Sequence, residues 1–175
     1  MLGVQSFTFQ RLRTHSAALF LCFLALAPAA YVAARVAEAS RDIAYWDEFS
    51  TALNFVLQLD QGIGVRDFLG RLFAISNEHR MVTSRLMFAT SYWLTGTVDF
   101  SVVSWLGNLS LLGLCGLLLW TAGTAARRLR MGRVLAMLMF QLEHYENFLW
   151  SGSSIDHFQV VLLAGLAVVG VARGT

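Results

Sequence analysis

The chain has 175 residues, of which 57% are hydrophobic and 14% are charged, and its mean hydropathy is +0.59. A soluble domain carries roughly a quarter charged residues, so this composition excludes an ordinary soluble globular domain. The length excludes a large transporter and allows one compact membrane unit of a few helices. The net charge of +2 is too small to indicate a nucleic-acid partner.

The first apolar run covers residues 16–34. At about 1.5 Å per residue it is long enough to cross a hydrocarbon core of about 30 Å. Arg11 and Arg13 precede the run, so its amino-terminal end is expected in the cytoplasm. A secretory signal peptide is the alternative, because Ala27-Pro28-Ala29 resembles a cleavage site. Under either interpretation, the chain after residue 34 emerges outside the cytoplasm.

Residues 35–99 have mixed character, and no stretch of 18 of these residues is free of charge. Three amphipathic pieces, residues 49–59, 67–75 and 81–94, predict helices that lie in the membrane interface. For the first two pieces, ordinary helices packed on the protein are an equal alternative. The third piece is too short to cross a membrane as a helix.

The second apolar run covers residues 100–122. A cluster of arginines follows it at once, and this cluster is expected in the cytoplasm: Arg127, Arg128, Arg130 and Arg133. The third run, residues 134–150, should therefore travel outward, and its second half is polar. A turn is predicted at residues 151–154 from their serine and glycine composition, after which residues 158–172 return inward.

These runs predict an all-α integral membrane protein with about four transmembrane helices and a long extracytoplasmic first loop. Residues 1–175 form one membrane domain in this interpretation, with spans at 16–34, 100–122, 134–150 and 158–172, the outer loop at 35–99, and both termini cytoplasmic. All 13 basic side chains are arginines, which indicates a GC-rich bacterial gene and hence the bacterial inner membrane. Because the sequence stops directly after the fourth run, we expect a longer protein with further membrane helices.

The first candidate for chemistry is the acidic pair Asp47 and Glu48, which stands between aromatic residues in the outer loop. Such carboxylates can supply a general base or a cation ligand. Adjacent residues of a helix point about 100° apart, so only one of the pair is expected to enter a site. The alternative is structural, because the macrodipole of a helix starting near Phe49 stabilises acids at its N-terminus.

The second candidate is the run Asn77-Glu78-His79-Arg80. An arginine and a histidine side by side can hold a phosphate, the first by a bidentate fork and the second by an N–H donor. The alternative is a solvated loop that leads into a helix. No metal-binding spacing such as His-Glu-x-x-His occurs in the sequence.

The third candidate is a polar set in the third run: Glu143, Glu146, Asn147 and Trp150. Their spacing of i, i+3, i+4 and i+7 predicts a single helical face. Ionisable groups inside a membrane run are costly and usually face a cavity or a partner. We expect this face to line the same cavity as the outer loop, with Trp150 at the membrane boundary. The alternative is that the helix has already left the hydrocarbon at Glu143.

The order of these features resembles the amino-terminal part of the GT-C superfamily of polytopic glycosyltransferases, which use polyprenyl-phosphate-linked sugars. Three segments carry the resemblance: Trp46-Asp47-Glu48, Asn77-Glu78-His79-Arg80, and residues 145–152, YENFLWSG. It covers most of residues 15–172. Family members are usually much longer, and the acidic pair lies somewhat further from the first span than is usual for the family.

The resemblance implies transfer of a sugar from a polyprenyl phosphate at the extracytoplasmic face. It implies that Asp47 or Glu48 is the catalytic carboxylate and that His79 and Arg80 bind the lipid phosphate, with the lipid-linked sugar and membrane lipids as partners. Whether a divalent metal takes part is not decided by the sequence. Two other functions stay open, a non-catalytic membrane interaction or transport subunit and an inactive fragment.

Overall fold

The computed structural model describes residues 23, 26–76 and 80–174, which are helical and include no β-strand. The helices in chain order are α1 (26–39), α2 (a π-helical turn Phe49–Leu53 continued by Asn54–Asp60), α3 (Val65–Leu72), α4 (Val82–Thr95), α5 (Phe100–Thr121), α6 (Ala125–Met139), α7 (Tyr145–Leu149, preceded by a 3₁₀ turn Leu142–His144) and α8 (Ser151–Gly174). The predicted start of the first span, and residues 77–79, lie outside the described residues.

Two of these helices, α5 and α8, are long and apolar enough to cross a membrane. The two helices run parallel to each other. Gly107 of α5 meets Ser154 near the start of α8, Leu117 meets Gly165 further along, and Arg173 stands over the Trp120 ring at the far end. The chain between Thr121 and Ser151 must therefore return along the length of α5 before α8 begins.

The first helix, α1, runs antiparallel to α5. Ser40, just after α1, is bonded to Ser101 at the start of α5 (3.2 Å), whereas Val32 and Val36 pack in one core cluster with Leu111 and Leu114 further down. With α5, the returning segment 122–150 and α8, the described chain makes four passes along one bundle. The polar segment 40–99 lies at the end of the bundle where α5 and α8 begin.

The predicted span 134–150 is not one helix, which corrects the sequence interpretation. The helix α6 starts at Ala125, runs through the arginine cluster, and ends at Met139, where Phe140 takes φ −110° and ψ 54°. The polar residues after it form a 3₁₀ turn and the short helix α7. The prediction failed because only about the first half of residues 134–150 is apolar.

The turn predicted at residues 151–154 is also wrong, because these residues form the first turn of α8. Ser154 Oγ donates to the Ser151 carbonyl within this turn (2.9 Å), a local bond from side chain to backbone that serine makes in helices. The helix then continues through a π-helical turn, Ile155–Gln159, and on to Gly174. The helix is therefore longer at both ends than the predicted fourth span, residues 158–172.

The three amphipathic pieces do form helices, α2, α3 and α4, and they pack on the protein. The Phe88 ring of α4 lies 5.6 Å from the Phe100 ring of α5. The buried Arg85 guanidinium donates to the carbonyls of Leu72 (3.1 Å) and Ala74 (2.5 Å) at the end of α3, where backbone acceptors lack helical partners. Their placement in a membrane interface stays a prediction.

Candidate functional site

A cavity of about 460 Å³ opens beside the N-terminal end of α8. It lies where the segment after α1, the segment before α4 and the start of α8 come together. Its lining mixes apolar side chains with polar ones and carries charges of both signs: Asp47, Ser76, Arg80, Met81, Trp150, Gly152, Ser153, Asp156, His157 and Val160. The two sequence candidates Asp47 and Arg80 thus share one cavity, although 32 intervening residues separate them in the chain.

The Asp47 side chain has an oxygen that no described residue contacts by a hydrogen bond. Its Oδ1 atom is buried and has no hydrogen-bond partner among the residues that the structure describes. The backbone of Asp47 is held independently, because its carbonyl accepts from the Ser50 and Thr51 amides (3.0 and 2.9 Å). A buried acceptor without a partner is costly. Asp47 therefore lines the cavity with a carboxylate whose hydrogen-bonding capacity the described residues do not fill.

The neighbouring Glu48 has a structural position instead. Its side chain is 1% exposed and accepts from the Gly152 amide (2.7 Å), the Ser151 hydroxyl and the Tyr45 amide (2.8 Å). The carboxyl group thereby caps the N-terminus of α8, a helix that lies more than 100 residues further along the chain. Of the acidic pair, only Asp47 lines the cavity.

Burial raises the pKa of the Glu48 carboxyl, and the bonds from Ser151, Tyr45 and Gly152 only partly oppose this rise. A carboxyl whose pKa is higher in the folded than in the unfolded state stabilises the fold fully below the unfolded pKa. That contribution is lost as the pH rises through the folded pKa. Ionisation of Glu48 therefore weakens the fold.

We expect the Glu48→Gln variant to lack this pH dependence, because glutamine does not ionise and retains an acceptor for the Gly152 amide. The wild-type free energy of unfolding, relative to that of Glu48→Gln, should fall as the pH rises from about 4 towards neutrality. Chemical unfolding in detergent micelles across this range measures the difference. Glu143→Gln, in which an exposed side chain changes, controls for the substitution. A difference that does not vary with pH contradicts the assignment.

The cationic side of the cavity consists of Arg80 and His157. Arg80 is exposed and donates to the Phe73 carbonyl (3.1 Å), which leaves other guanidinium donors for a ligand. His157 Nδ1 lies 2.9 Å from the Ser153 carbonyl oxygen, which only accepts, so Nδ1 carries a proton. Its Nε2 atom is then an acceptor in the neutral ring and a donor in the charged ring.

The sequence did not single out Asp156 and His157, yet both line the cavity. Asp156 accepts from the Ser84 hydroxyl of α4, which ties α8 to the polar stripe of that helix. Among the described positions, no group of three or more histidine, cysteine or acidic side chains could hold a metal ion. The i, i+4 spacing of Ser153 and His157 places both side chains on one helical face only if α8 begins at residue 151, and the sequence did not predict that start.

The third candidate set does not form one helical face, which corrects that interpretation. Trp150 lines the cavity and its indole Nε1 is buried, with no hydrogen-bond partner in the described part of the chain. Asn147 accepts from Ser153 Oγ (2.7 Å) and so supports the cavity wall. Glu146 lines a neighbouring hollow, and Glu143 is exposed in the 3₁₀ turn.

The remaining candidates, Asn77, Glu78 and His79, lie outside the described residues, directly before Arg80. No protein-family model, no curated protein and no solved structure matches this chain. The roles of the site residues therefore stay predictions that depend on geometry and chemistry alone. The geometry brings a carboxylate, an arginine and a histidine to the wall of one cavity.

Proposed function

We propose that this chain is a membrane glycosyltransferase of the GT-C type, which transfers a sugar from a polyprenyl phosphate at the extracytoplasmic face. One observation carries the proposal. Asp47 and Arg80 line one cavity of about 460 Å³ at the end of two apolar helices, and one Asp47 carboxylate oxygen has no hydrogen-bond partner among the described residues. A general base and a phosphate ligand must meet one substrate, and this cavity is the place in the described chain where they can.

In the proposed reaction, the Asp47 carboxylate accepts the proton of an acceptor hydroxyl group. The hydroxyl oxygen then forms a bond to the anomeric carbon of the sugar, and the bond from that carbon to the phosphate oxygen breaks. The electron pair leaves with the phosphate, where the Arg80 guanidinium neutralises the added charge. His79, which precedes Arg80, is a further proposed phosphate ligand.

The membrane placement is part of the proposal. The four passes along the bundle fit four crossings, of which α5 and α8 are long and apolar enough by themselves. The arginine cluster at the start of α6, and Arg173 over the Trp120 ring (3.4 Å), lie at the opposite end of the bundle from the cavity. Basic residues favour the cytoplasmic side, so the cavity faces outward in the bacterial inner membrane, with both termini inside.

We expect labelling of single cysteines to follow this topology. In a background that lacks Cys22 and Cys115, Gln61→Cys should react with a membrane-impermeant thiol reagent added to intact cells. Leu129→Cys should react only after the cells are permeabilised. Both side chains are exposed in the structure, so burial does not explain a difference between them. The reverse pattern would overturn the orientation.

The function itself is tested by a transfer assay. Membranes that contain the protein are supplied with a polyprenyl phosphate bearing a radiolabelled sugar, and label that leaves the lipid fraction is measured. Transfer that requires the protein supports the proposal. Membranes with properly inserted protein that transfer no more sugar than control membranes count against it.

The second candidate function is a non-catalytic membrane interaction or transport subunit. A specific observation favours it, because only 11% of the apolar window of α8 is buried. Exposed side chains on this helix, such as Leu163, Val168 and Val171, can pack against lipid or against helices of a partner. Co-purification of a stoichiometric membrane partner, together with an inactive transfer assay, would support this alternative.

A further inference from the structure

A groove follows α1 along the side that faces the returning segment. Its deep part, about 290 Å³, lies between α1 and α5 and also touches Phe140. The next part, about 260 Å³, shares Val36 with the deep part. The upper part, about 360 Å³, shares Ala39 and Tyr145 with the middle part, and Trp150 with the Asp47 cavity. Since residues of α1 line all three hollows, the hollows follow one another along this helix.

The deep part of the groove is apolar. On the α1 side, the short side chains of Ala29, Ala30 and Ala33 leave room for a ligand chain. The polar side chain in this lining, Asn108, donates its amide hydrogens to the Ser104 carbonyl (2.8 Å) and the Phe148 carbonyl (2.7 Å). Those amide donors are therefore used by the protein, and the surface left to an occupant is hydrocarbon.

The upper part of the groove is aromatic and carries one arginine and one glutamate. Arg41 lines it and donates to the carbonyls of Glu38 (2.7 Å) and Ser40 (3.0 Å). Glu38 pairs with Arg35, and no carboxylate of the described residues lies at ion-pair distance from Arg41. Glu146 lines the same part, where Tyr45 and Tyr145 add amphipathic rings.

We propose that this groove binds one acyl chain of an anionic phospholipid, whose phosphate lies beside Arg41. The change along α1 from a hydrocarbon lining to a part that contains Arg41 matches such a lipid along its length. The distance from residue 26 to residue 39 is about 20 Å, which exceeds the depth of one leaflet of a core of about 30 Å. A polyprenyl chain is much longer than this groove. The inference rests on the proposed membrane placement and is independent of sugar transfer.

The test uses the full chain in phosphatidylcholine bilayers that contain a small share of phosphatidylglycerol with a photoreactive group in one acyl chain. Cross-links should concentrate on residues 29–36 and 105–112, several-fold above those on the exposed face of α8. Ala33→Trp fills the groove and should lower this labelling several-fold. Leu166→Trp, on the exposed face of α8, is the matched control and should leave it unchanged.

Arg41→Gln should remove the preference for phosphatidylglycerol over an equally photoreactive phosphatidylcholine. Equal labelling of the groove and of α8 in the wild type overturns the proposal, even if Ala33→Trp does not fold. Displacement of the label by equimolar polyprenyl phosphate would also overturn it, by identifying another occupant. Asp47→Asn should leave the labelling intact whether or not it stops sugar transfer, so failure of one proposal is distinguishable from failure of the other.

Discussion

Replacing Asp47 by asparagine is expected to lower the rate of sugar transfer by about 10²- to 10⁴-fold, the usual contribution of a general base. Asparagine has nearly the same shape as aspartate, but its amide does not accept a proton from an attacking hydroxyl group. The loop should keep its conformation, because the Asp47 carbonyl, and not its side chain, accepts from Ser50 and Thr51. The measurement is radiolabelled sugar transfer in membranes with matched protein content.

The Asp47→Asn result is interpretable because the cavity offers a second carboxylate as a control. Asp156 lines the same cavity and accepts from the Ser84 hydroxyl, so its side chain already has a partner in the fold. Asp156→Asn should therefore retain more transfer than Asp47→Asn. If the order is reversed, Asp156 is the base. If both variants transfer at the wild-type rate, the catalytic proposal fails and the binding-subunit alternative gains support.

The helix α5 was predictable because the residues that determine it are adjacent in the sequence. An uninterrupted apolar run from residue 100 to residue 122 determines a long helix without help from the rest of the chain. The structure gives Phe100–Thr121, and the Asp99 carboxylate caps it by accepting from the Val102 amide (2.9 Å). The three amphipathic helices were readable for the same reason, since each shows its own periodicity.

The start of α8 was not predictable, because the residue that stabilises it, Glu48, is distant in the chain. Residues 151–154 have turn-like composition, yet the Glu48 carboxyl group accepts from the Gly152 amide and stabilises a helical first turn there. Since that contact joins two segments 104 residues apart, no local window contains it. From the sequence, Glu48 was either a catalytic carboxylate or an acid at the N-terminus of the helix that starts near Phe49. In the structure its side chain is bonded to the N-terminus of a different helix, α8.

This displaced helix start also explains why part of the site was missed. With the fourth span drawn from residue 158, Asp156 and His157 fell in a loop and carried no directional information. Once α8 begins at Ser151, both residues lie in its first turns and line the cavity. The candidates Asp47 and Arg80 were found because their residue types suggested chemistry, but their approach to one cavity depends on tertiary packing.

Replacing Gly107 by alanine is expected to be the most destabilising of the single-methyl changes in α5. A Cβ atom at residue 107 would lie 2.1 Å from Ser154 Oγ, 2.6 Å from Ser154 Cβ and 2.8 Å from the Ser154 carbonyl carbon. Backbone atoms cannot rotate out of the way as the end of a side chain can, so α5 and α8 must move apart. Overpacking of this kind costs about 1–3 kcal/mol and sometimes more.

The matched control is Gly116→Ala in the same helix, where the added methyl group meets no heavy atom within 4 Å. Because alanine favours helix over glycine by about 1 kcal/mol, Gly116→Ala should be neutral or stabilising. Thermal unfolding of the purified variants in one detergent measures both effects. Equal melting temperatures for the two variants would show that the close approach of α5 and α8 does not exist in solution.

A double variant tests the cause of the Gly107→Ala loss. Adding Ser154→Gly removes the Oγ and Cβ atoms that the new methyl group would meet and leaves the contact with the backbone carbon. Part of the lost stability should therefore return, and the effects of the two substitutions should not be additive. Because Ser154 lies three residues after Ser151, separation of the helices at this point also loosens the Glu48 cap on α8. Gly107→Ala should accordingly lower both sugar transfer and the melting temperature. Gly116→Ala should lower neither of them.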